Sequence, residues 1–248
     1  MKTLVGIPCY GNQHDVYLAR VLEEYRTWPD TDAVVFSDRP RPGIYPKVVV
    51  YDLGNDPVSL THKHRRYFAD RVDDYDLFLY AEDDVLVTRR NLEYFIAHNE
   101  NLGDWQFGGA VPGFFLVERR DDILNYPQYH AEFHWEPQAV YKIQHRGLFC
   151  TMAYFTNVHS ATCLLTRNQI RLAIRDGNYL REPHLIGRYG KHETNCSGPY
   201  LDVCVRKLIC LDHFDDALVE HLPGNYIGRL GVSDEVVRAD IRRLKGEI

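Results

Sequence analysis

The chain has 248 residues, enough for one large domain or two small ones with a substantial core. Its 45% hydrophobic and 26% charged residues are ordinary for a globular enzyme, and no segment reaches the length of a membrane span. The formal net charge of −6 argues against a broad nucleic-acid-binding surface, so an anionic ligand would need a local cation to hold it.

Strand and helix signals alternate through the first hundred residues. The predicted strands cover residues 3–8, 32–36, 47–51 and 77–80, and the predicted helices cover residues 18–25, 60–72 and 92–98. This alternation predicts an α/β fold with a mostly parallel, doubly wound sheet. Each strand ends in small, polar or acidic residues, so the loops that follow should share the edge where open α/β sheets bind ligands.

The second half of the chain has less regular signals. The sequence predicts a strand or hairpin within residues 149–165, a helix over 168–174 and a long polar loop over 179–199. A helix is predicted from Pro199 to about Cys210, and Ser233 is the expected N-cap of a last amphipathic helix, with Val237, Ile241, Leu244 and Ile248 on one stripe. With no repeat and no clear linker, we expect a single domain over residues 1–248.

The first residues of the chain and its cysteines indicate the cellular compartment in which we expect the protein. Residues 1–8 lack the flanks of a signal peptide and are predicted to form the first strand. The six cysteines are scattered with no Cys-x-x-Cys pair, so we expect reduced core thiols. We therefore expect a cytoplasmic protein, with peripheral contact at the inner face of a membrane left open.

The acidic triplet Glu82-Asp83-Asp84 is the most informative motif. It directly follows the apolar run at residues 77–81, which is typical of a buried strand. Unpaired carboxylates are too costly to bury in a core, so the triplet should lie at the carboxyl edge of the sheet. A hard divalent cation would relieve the repulsion between the carboxylates and could in turn hold phosphates. The alternative is a solvated acidic turn.

Together, the parallel amino-terminal half, the acidic triplet at the end of its fourth strand and the irregular second half resemble a GT-A glycosyltransferase. In that family an Asp-x-Asp motif binds a divalent metal that holds the diphosphate of a sugar nucleotide, and Glu82-Asp83-Asp84 is similar to its Glu-Asp-Asp variant. The resemblance implies a GT-A-like fold, with residues from 1 to about 100 binding the nucleotide sugar and residues from about 101 to 248 binding the acceptor.

The resemblance also implies the metal ligands. Asp84 would be the main ligand of Mn²⁺ or Mg²⁺, while Asp83 and Glu82 would bind metal-bound water, ribose or the donor sugar. A late histidine often adds a further ligand in this family; His221 is the best placed here and His213 is second, although a lone histidine is more often structural.

Candidate donor-binding residues follow the first two strands. Pro8 and Tyr10 match the place where the family grips the nucleotide base, and Tyr10 would stack on uracil unless it belongs to the core. Ser37 and Asp38 match an acid-bearing strand end that contacts base or ribose, or else form an ordinary turn.

Two further groups of residues are candidates for the diphosphate and for the base. Lys63 and Arg65 would reach the diphosphate, unless the basic helix is simply a solvated face. Asp202, in a predicted first helical turn, would be the base that deprotonates the acceptor hydroxyl, with Glu193 as its rival. An acid at the position of Asp202 would also stabilise the helix dipole without any catalytic role.

The predicted function is metal-dependent transfer of a sugar from a nucleotide-diphosphate sugar, UDP-linked, to a glycan or glycolipid acceptor. One alternative is a sugar-1-phosphate nucleotidyltransferase, although the Gly-rich, basic first loop of such enzymes is absent. The other is a sugar-nucleotide-binding protein that has lost its base.

Overall fold

The computed structural model describes residues 1–44, 47–102, 109–127, 137–145, 148–155, 159–175, 179–181, 190–201 and 206–248. Its strands are β1 (Thr3–Cys9), β2 (Thr31–Ser37), β3 (Lys47–Val50), β4 (Leu77–Ala81), β5 (Val85–Leu86), β6 (Ala110–Pro112), β7 (Phe115–Arg120), β8 (Ile123–Tyr126), β9 (Pro137–His145), β10 (Leu148–Phe155), β11 (Thr162–Thr166), β12 (Arg206–Cys210), β13 (Leu218–His221) and β14 (Val232–Ser233). Its α-helices are α1 (Asp15–Arg26), α2 (Lys63–Ala69), α3 (Arg89–Asn101), α4 (Arg167–Arg175), α5 (Lys191–Leu201) and α6 (Asp234–Lys245), with 3₁₀ turns at Pro57–His62 and Phe214–Ala217.

The chain divides into two compact units, each made of two segments. Unit 1 consists of Met1–Arg89 and Ala161–Val205, and unit 2 consists of Arg90–Ser160 and Arg206–Ile248. The boundaries therefore differ from a division near residue 100. The expectation that residues 1–248 act as one domain stays a prediction.

Unit 1 contains a five-stranded sheet in the order β11-β4-β1-β2-β3. Strands β4, β1, β2 and β3 are parallel, and β11 pairs antiparallel with β4. Every residue of the central strand β1 is buried, as its nearly continuous apolar sequence predicts for a strand covered on both faces. The prediction of a mixed α/β protein with a mostly parallel sheet is confirmed.

The direction of winding reverses at β1. The chain passes from β1 through α1 to β2 and then to β3 on one side, and after α2 it returns to form β4 on the other side of β1. The loops that follow β1 and β4 therefore separate from each other and leave a crevice between the ends of these two strands. Such a switch point is where open α/β sheets bind ligands.

Unit 2 is rich in strands, although its sequence had looked irregular. One sheet has the order β6-β12-β10-β9, and β14, β8, β7 and β13 form a second run of paired strands. The helix predicted from Pro199 to Cys210 is wrong, because Arg206–Cys210 is the strand β12, paired with β6 and β10. Four consecutive buried residues suit a central strand and would not suit an amphipathic helix.

The polar loop predicted over residues 179–199 is wrong in part, since α5 begins at Lys191 and contains Pro199 near its end. The sequence predicts Pro199 in a first helical turn, but the proline lies in the last turn of α5. Proline has no N–H, so the carbonyl of Asn195, four residues earlier, receives no helical hydrogen bond from it.

Arg65 supplies the missing donor. Its side chain is fully buried, its Nη2 donates to the Asn195 carbonyl at 3.2 Å, and its Nη1 donates to the Tyr179 carbonyl at 3.3 Å. A buried guanidinium in contact with backbone carbonyls ties α2 to two later segments of unit 1. The Arg65 side chain therefore belongs to the core of the unit.

The remaining predictions for the fold concern the cysteines and the last helix. Cys9, Cys150, Cys163, Cys196 and Cys210 are buried and are not joined in disulfides, and their reduced state stays a prediction. Helix α6 follows Ser233 and buries Val237 and Ile241, but the Ser233 side chain makes no cap bond and Ile248 is exposed. Within the described ranges every helix is too short or too polar to span a bilayer.

Replacing Arg65 should test its structural role. Arg65→Met removes the guanidinium that donates to the Tyr179 and Asn195 carbonyls, which should cost at least about 2 kcal/mol in the free energy of unfolding. Adding Pro199→Ala restores an N–H for the Asn195 carbonyl, so the double variant should recover part of the loss in a urea titration. Arg66→Met, at an exposed neighbour paired with Asp70, is the control and should shift the midpoint little. Equal effects at Arg65 and Arg66 would contradict the assignment.

Candidate functional site

A cavity of about 300 Å³ lies in unit 1 at the carboxyl edge of the sheet. Its walls come from the loop after β1, the 3₁₀ turn at Pro57–His62, the triplet after β4 and the start of α5. The lining residues are Pro8, Tyr10, Gln13, His14, Pro57, Val58, Leu60, Thr61, Glu82, Asp83, Asp84 and His192. The cavity therefore occupies the switch point between β1 and β4.

The acidic triplet forms a tight turn directly after β4. The Val85 N–H donates to the Glu82 carbonyl at 3.1 Å, and the Glu82 N–H donates to the Ala161 carbonyl at 3.1 Å. Asp83 and Asp84 are 7% and 6% exposed, so the turn is not a solvated one. Two adjacent carboxylates are thus held with little access to water, in the lining of the cavity.

His14 faces these two carboxylates. Its Nδ1 lies 2.9 Å from Oδ1 of Asp83 and 3.5 Å from Oδ2 of Asp84. The hydrogen bond to Asp83 raises the pKa of His14 above its ordinary value, and burial raises the pKa of Asp83. The hydrogen bond between the imidazole and Asp83 thus offsets part of the repulsion between the carboxylates.

The same three side chains fit a divalent cation. One ligand atom from each of His14, Asp83 and Asp84 lies within 4.8 Å of the others. Carboxylate oxygens are the ligands that Mg²⁺ and Mn²⁺ prefer, and imidazole is a common additional ligand for transition metals. The chemistry of this donor set therefore fits Mn²⁺ or Mg²⁺, with the metal taking the place of the hydrogen bond between His14 and Asp83.

Glu82 points into a separate network. Its Oε1 accepts hydrogen bonds from Nε2 of His192 at 2.8 Å and from the thiol of Cys196 at 2.7 Å, and the Cys196 sulfur lies 3.3 Å from the Tyr80 hydroxyl. The Glu82 charge and this hydrogen bond raise the pKa of His192 to about 9. His192 is therefore cationic at neutral pH in the lining of the cavity.

Ser37 and Asp38 do not line the cavity, but Asp38 holds the loop that contributes Tyr10 to the lining. Asp38 accepts a hydrogen bond from the Gly11 N–H at 3.0 Å and pairs with Arg39 at 2.8 Å. Burial alone would raise the pKa of Asp38, but the Arg39 and Gly11 hydrogen bonds outweigh it and the pKa is lowered. An ionised Asp38 thus fixes the loop that presents Tyr10.

Arg41, which the sequence analysis did not single out, holds the same loop through its backbone carbonyls. Its side chain is buried, its Nε donates to the Ser37 hydroxyl at 2.9 Å, and its Nη2 donates to the Cys9 carbonyl at 3.2 Å. It also hydrogen-bonds the Gly11 carbonyl and pairs with Asp15. The segment that carries His14 is therefore braced on both sides.

The structure places Lys63 and Arg65 away from the lining of the cavity. The Arg65 guanidinium is buried against backbone carbonyls, so its predicted contact with a diphosphate is not available. The Lys63 ammonium lies over the Tyr51 ring, 5.7 Å from its centroid. The sequence predicts the same role for both residues, because a charged residue in a helix sequence does not reveal whether its side chain is solvated or buried.

The remaining predicted residues have different surroundings. Tyr10 is 55% exposed in the cavity lining, so it is not a core tyrosine. Glu193 lies in the first turn of α5, next to His192 but outside the lining. His221 is in unit 2, where its Nδ1 lies 2.7 Å from Oε1 of the buried Glu118. Asp202 lies outside the described residues.

The two histidines of the cavity were missed by the sequence analysis. His14 immediately precedes α1, in the loop after β1, so the rule that strand ends share one edge could have identified it. His192 was visible only as the neighbour of Glu193, because the helix that brings it to Glu82 was predicted as a loop. Among the described residues that line the cavity, these two imidazoles are the only basic groups.

Comparisons with known proteins give limited information. No family model and no curated protein match the chain. Among solved structures, it is similar to a glycosyltransferase involved in the glycosylation of the major capsid of PBCV-1, with 12% identity and a TM-score of 0.40, covering 89% of this chain and 93% of that one. It is also similar to S. aureus TarS, with 10% identity and a TM-score of 0.48, covering 100% of this chain and 42% of that one. Similarities of this size do not establish a shared fold or activity.

The Glu82–His192 pair predicts a measurable pKa. We expect the His192 imidazole to titrate near the pKa of about 9 by NMR, and Glu82→Gln to return it toward the ordinary 6.5. Because the folded pKa is raised, the pair's contribution to stability is full below about 6.5 and is lost as pH rises through about 9. The difference in urea midpoint between the parent and His192→Gln should therefore shrink over that range. An imidazole that titrates near 6.5 in both proteins would contradict the pairing.

Proposed function

We propose that the protein is a metal-dependent glycosyltransferase of the GT-A type, which transfers a sugar from a UDP-linked sugar to a glycan or glycolipid. The observation that carries the proposal is the convergence of His14, Asp83 and Asp84 in a cavity at the switch point of a parallel sheet. The sequence resemblance supplies the reaction class, and the described geometry is compatible with it.

Charge balance supports a role for metal. The cavity is lined by three carboxylates and by no lysine or arginine among its described residues. A diphosphate would meet net negative charge there unless a cation intervened. Asp84, Asp83 and His14 would hold Mn²⁺ or Mg²⁺, which when bound would offset charge on the leaving diphosphate. His221 is proposed as a further ligand from the family resemblance alone.

The chain's own side chains would bind and orient the donor. The exposed ring of Tyr10 offers a stacking surface for the nucleobase, and Pro57, Val58 and Leu60 add apolar surface to the lining of the same cavity. The cationic His192, oriented by Glu82, would donate a hydrogen bond to an oxygen of the donor. The nucleobase would thus be held by an aromatic contact with Tyr10, and an oxygen of the donor would be held by the charge of His192.

The acceptor hydroxyl needs a base when it attacks the anomeric carbon. Asp202 and Glu193 are the proposed candidates, and a carboxylate in this role would take the hydroxyl proton as the new glycosidic bond forms. Inversion at the anomeric carbon is expected if one of them acts in this way.

Removing a metal ligand should abolish donor binding. We expect Asp84→Asn to eliminate Mn²⁺-dependent UDP binding, measured by calorimetry. It should also reduce the rate of UDP release from UDP-sugars by more than the roughly 10–100-fold that is typical when a residue that hydrogen-bonds a metal ligand is lost. Asp74→Asn, at an exposed acid of the same unit, is the control. UDP binding that survives in Asp84→Asn, or that EDTA leaves unchanged in the parent, would contradict the metal role.

The same assays separate the alternatives and test His221. Sugar transfer with UDP release supports the proposed enzyme, pyrophosphate formation or consumption indicates a nucleotidyltransferase, and binding without turnover indicates a binding protein. His221→Ala should weaken Mn²⁺-dependent UDP binding if it is a ligand; unchanged binding would remove it from the proposed set.

The base is tested by two conservative replacements. Asp202→Asn should leave UDP binding near normal and reduce kcat by about 10²–10⁴-fold, the usual contribution of a general base. Loss in Glu193→Gln alone would transfer the role to Glu193. If neither replacement slows turnover, a retaining mechanism replaces the inverting one.

A further inference from the structure

A second convergence of metal-binding side chains lies in unit 2. His98 from α3, Cys150 from β10 and Cys210 from β12 are 5%, 6% and 0% exposed. One ligand atom from each lies within 4.8 Å of the other two. The predicted function does not involve any of these residues.

The fold fixes the three side chains on rigid elements. Strands β10 and β12 are antiparallel with Met152 opposite Cys210, so Cys150, two residues from Met152, projects from the same face as Cys210. The Tyr94 ring packs against the His98 ring with centroids 4.7 Å apart, and the Tyr94 hydroxyl accepts the Cys210 N–H at 3.0 Å. The imidazole and the two sulfur atoms are thus held together by helix packing and strand register.

The distance between the imidazole nitrogen and one sulfur matches a zinc site, and the distance between the two sulfur atoms is shorter than in one. His98 Nδ1 lies 3.7 Å from Cys150 Sγ, near the approximately 3.5 Å between nitrogen and sulfur ligands that tetrahedral Zn–N and Zn–S bond lengths imply. The two sulfur atoms are 2.8 Å apart, and a shared tetrahedral zinc would separate them to about 3.7 Å. A side-chain adjustment of about 1 Å therefore converts the cluster into a coordination site.

We propose that His98, Cys150 and Cys210 bind a structural Zn²⁺ ion, independently of the function proposed for unit 1. Thiolate and imidazole are the ligands that favour zinc over the hard cations expected beside Asp83 and Asp84. Binding releases one proton from each thiol to solvent. The fourth position is open to water or to His213, whose ring centroid is 5.1 Å from that of His98. The buried ion would enter as the unit folds.

Cobalt substitution tests the site through its colour. We expect the protein refolded from urea in the presence of Co²⁺ to show a thiolate-to-cobalt charge-transfer band in the near ultraviolet and the visible bands of tetrahedral cobalt, and both to be absent when one equivalent of Zn²⁺ is present during refolding. The cavity ligands His14, Asp83 and Asp84 contain no sulfur, so they do not contribute to the charge-transfer band. A parent spectrum without the band overturns the proposal even if every variant fails to fold, and a band in the parent is assigned by the variants, because Cys196 lies beside Glu82 and His192 in a second sulfur-containing group.

Matched serine variants assign the sulfur ligands. Cys150→Ser and Cys210→Ser should each remove about half of the charge-transfer intensity, and the double variant should remove all of it. Cys163→Ser, at another buried thiol, and Cys196→Ser, at the thiol beside Glu82, should leave it unchanged. The proposal is overturned if the parent shows no such band, if the band is lost in Cys196→Ser, or if a count of thiols in the unreduced, denatured protein falls two short because Cys150 and Cys210 form a disulfide.

Discussion

The repulsion between Asp83 and Asp84 is the constraint on which the arrangement of unit 1 depends. Both carboxylates are almost buried, and burial of like charges side by side is costly without a compensating positive group. The structure supplies His14 at hydrogen-bonding distance from Asp83. The position of His14 depends in turn on the loop after β1, which Arg41 and Asp38 hold in place. Arg41 and Asp38 thus keep His14 in position beside the two carboxylates, although neither of them lines the cavity.

Two acid–imidazole pairs give the cavity an uneven distribution of charge. His14 is shared between two carboxylates, so that group remains acidic in net charge, whereas Glu82 and His192 form an approximately neutral pair. A cation is attracted to the first group, and an anionic ligand meets less repulsion at the second. Separation of the two groups within one cavity suits a ligand that contains phosphate and is accompanied by a metal, because each part encounters the charge that stabilises it.

The sequence was sufficient to predict the parallel sheet and the position of the acidic triplet at its edge, because both depend on local patterns. Buried parallel strands are continuous apolar runs, and an acidic triplet at the end of one must face the sheet edge. His192 was missed because only the folded chain brings α5 to the triplet, whereas His14 lies in the loop after β1, where the shared edge of the strand ends gives a signal in the sequence. Arg65 was misassigned since a charged residue in a helix gives no local sign of burial. The error at β12 and α5 began at Pro199, whose place in a last turn is possible because Arg65 replaces the hydrogen bond that proline cannot donate.

The contacts of Arg65 also constrain how the chain can fold during synthesis. Its acceptors at Tyr179 and Asn195 follow it by 114 and 130 residues, and β11, which covers one edge of β4, lies beyond the whole first segment of unit 2. When the first ninety residues leave the ribosome, the edge of β4 has no partner and Arg65 has neither carbonyl to contact. Unit 1 can therefore complete its core only after most of unit 2 has been synthesised. A fragment that stops before residue 161 would expose an open β-edge and an unsatisfied cation, which favours aggregation over a stable half-protein.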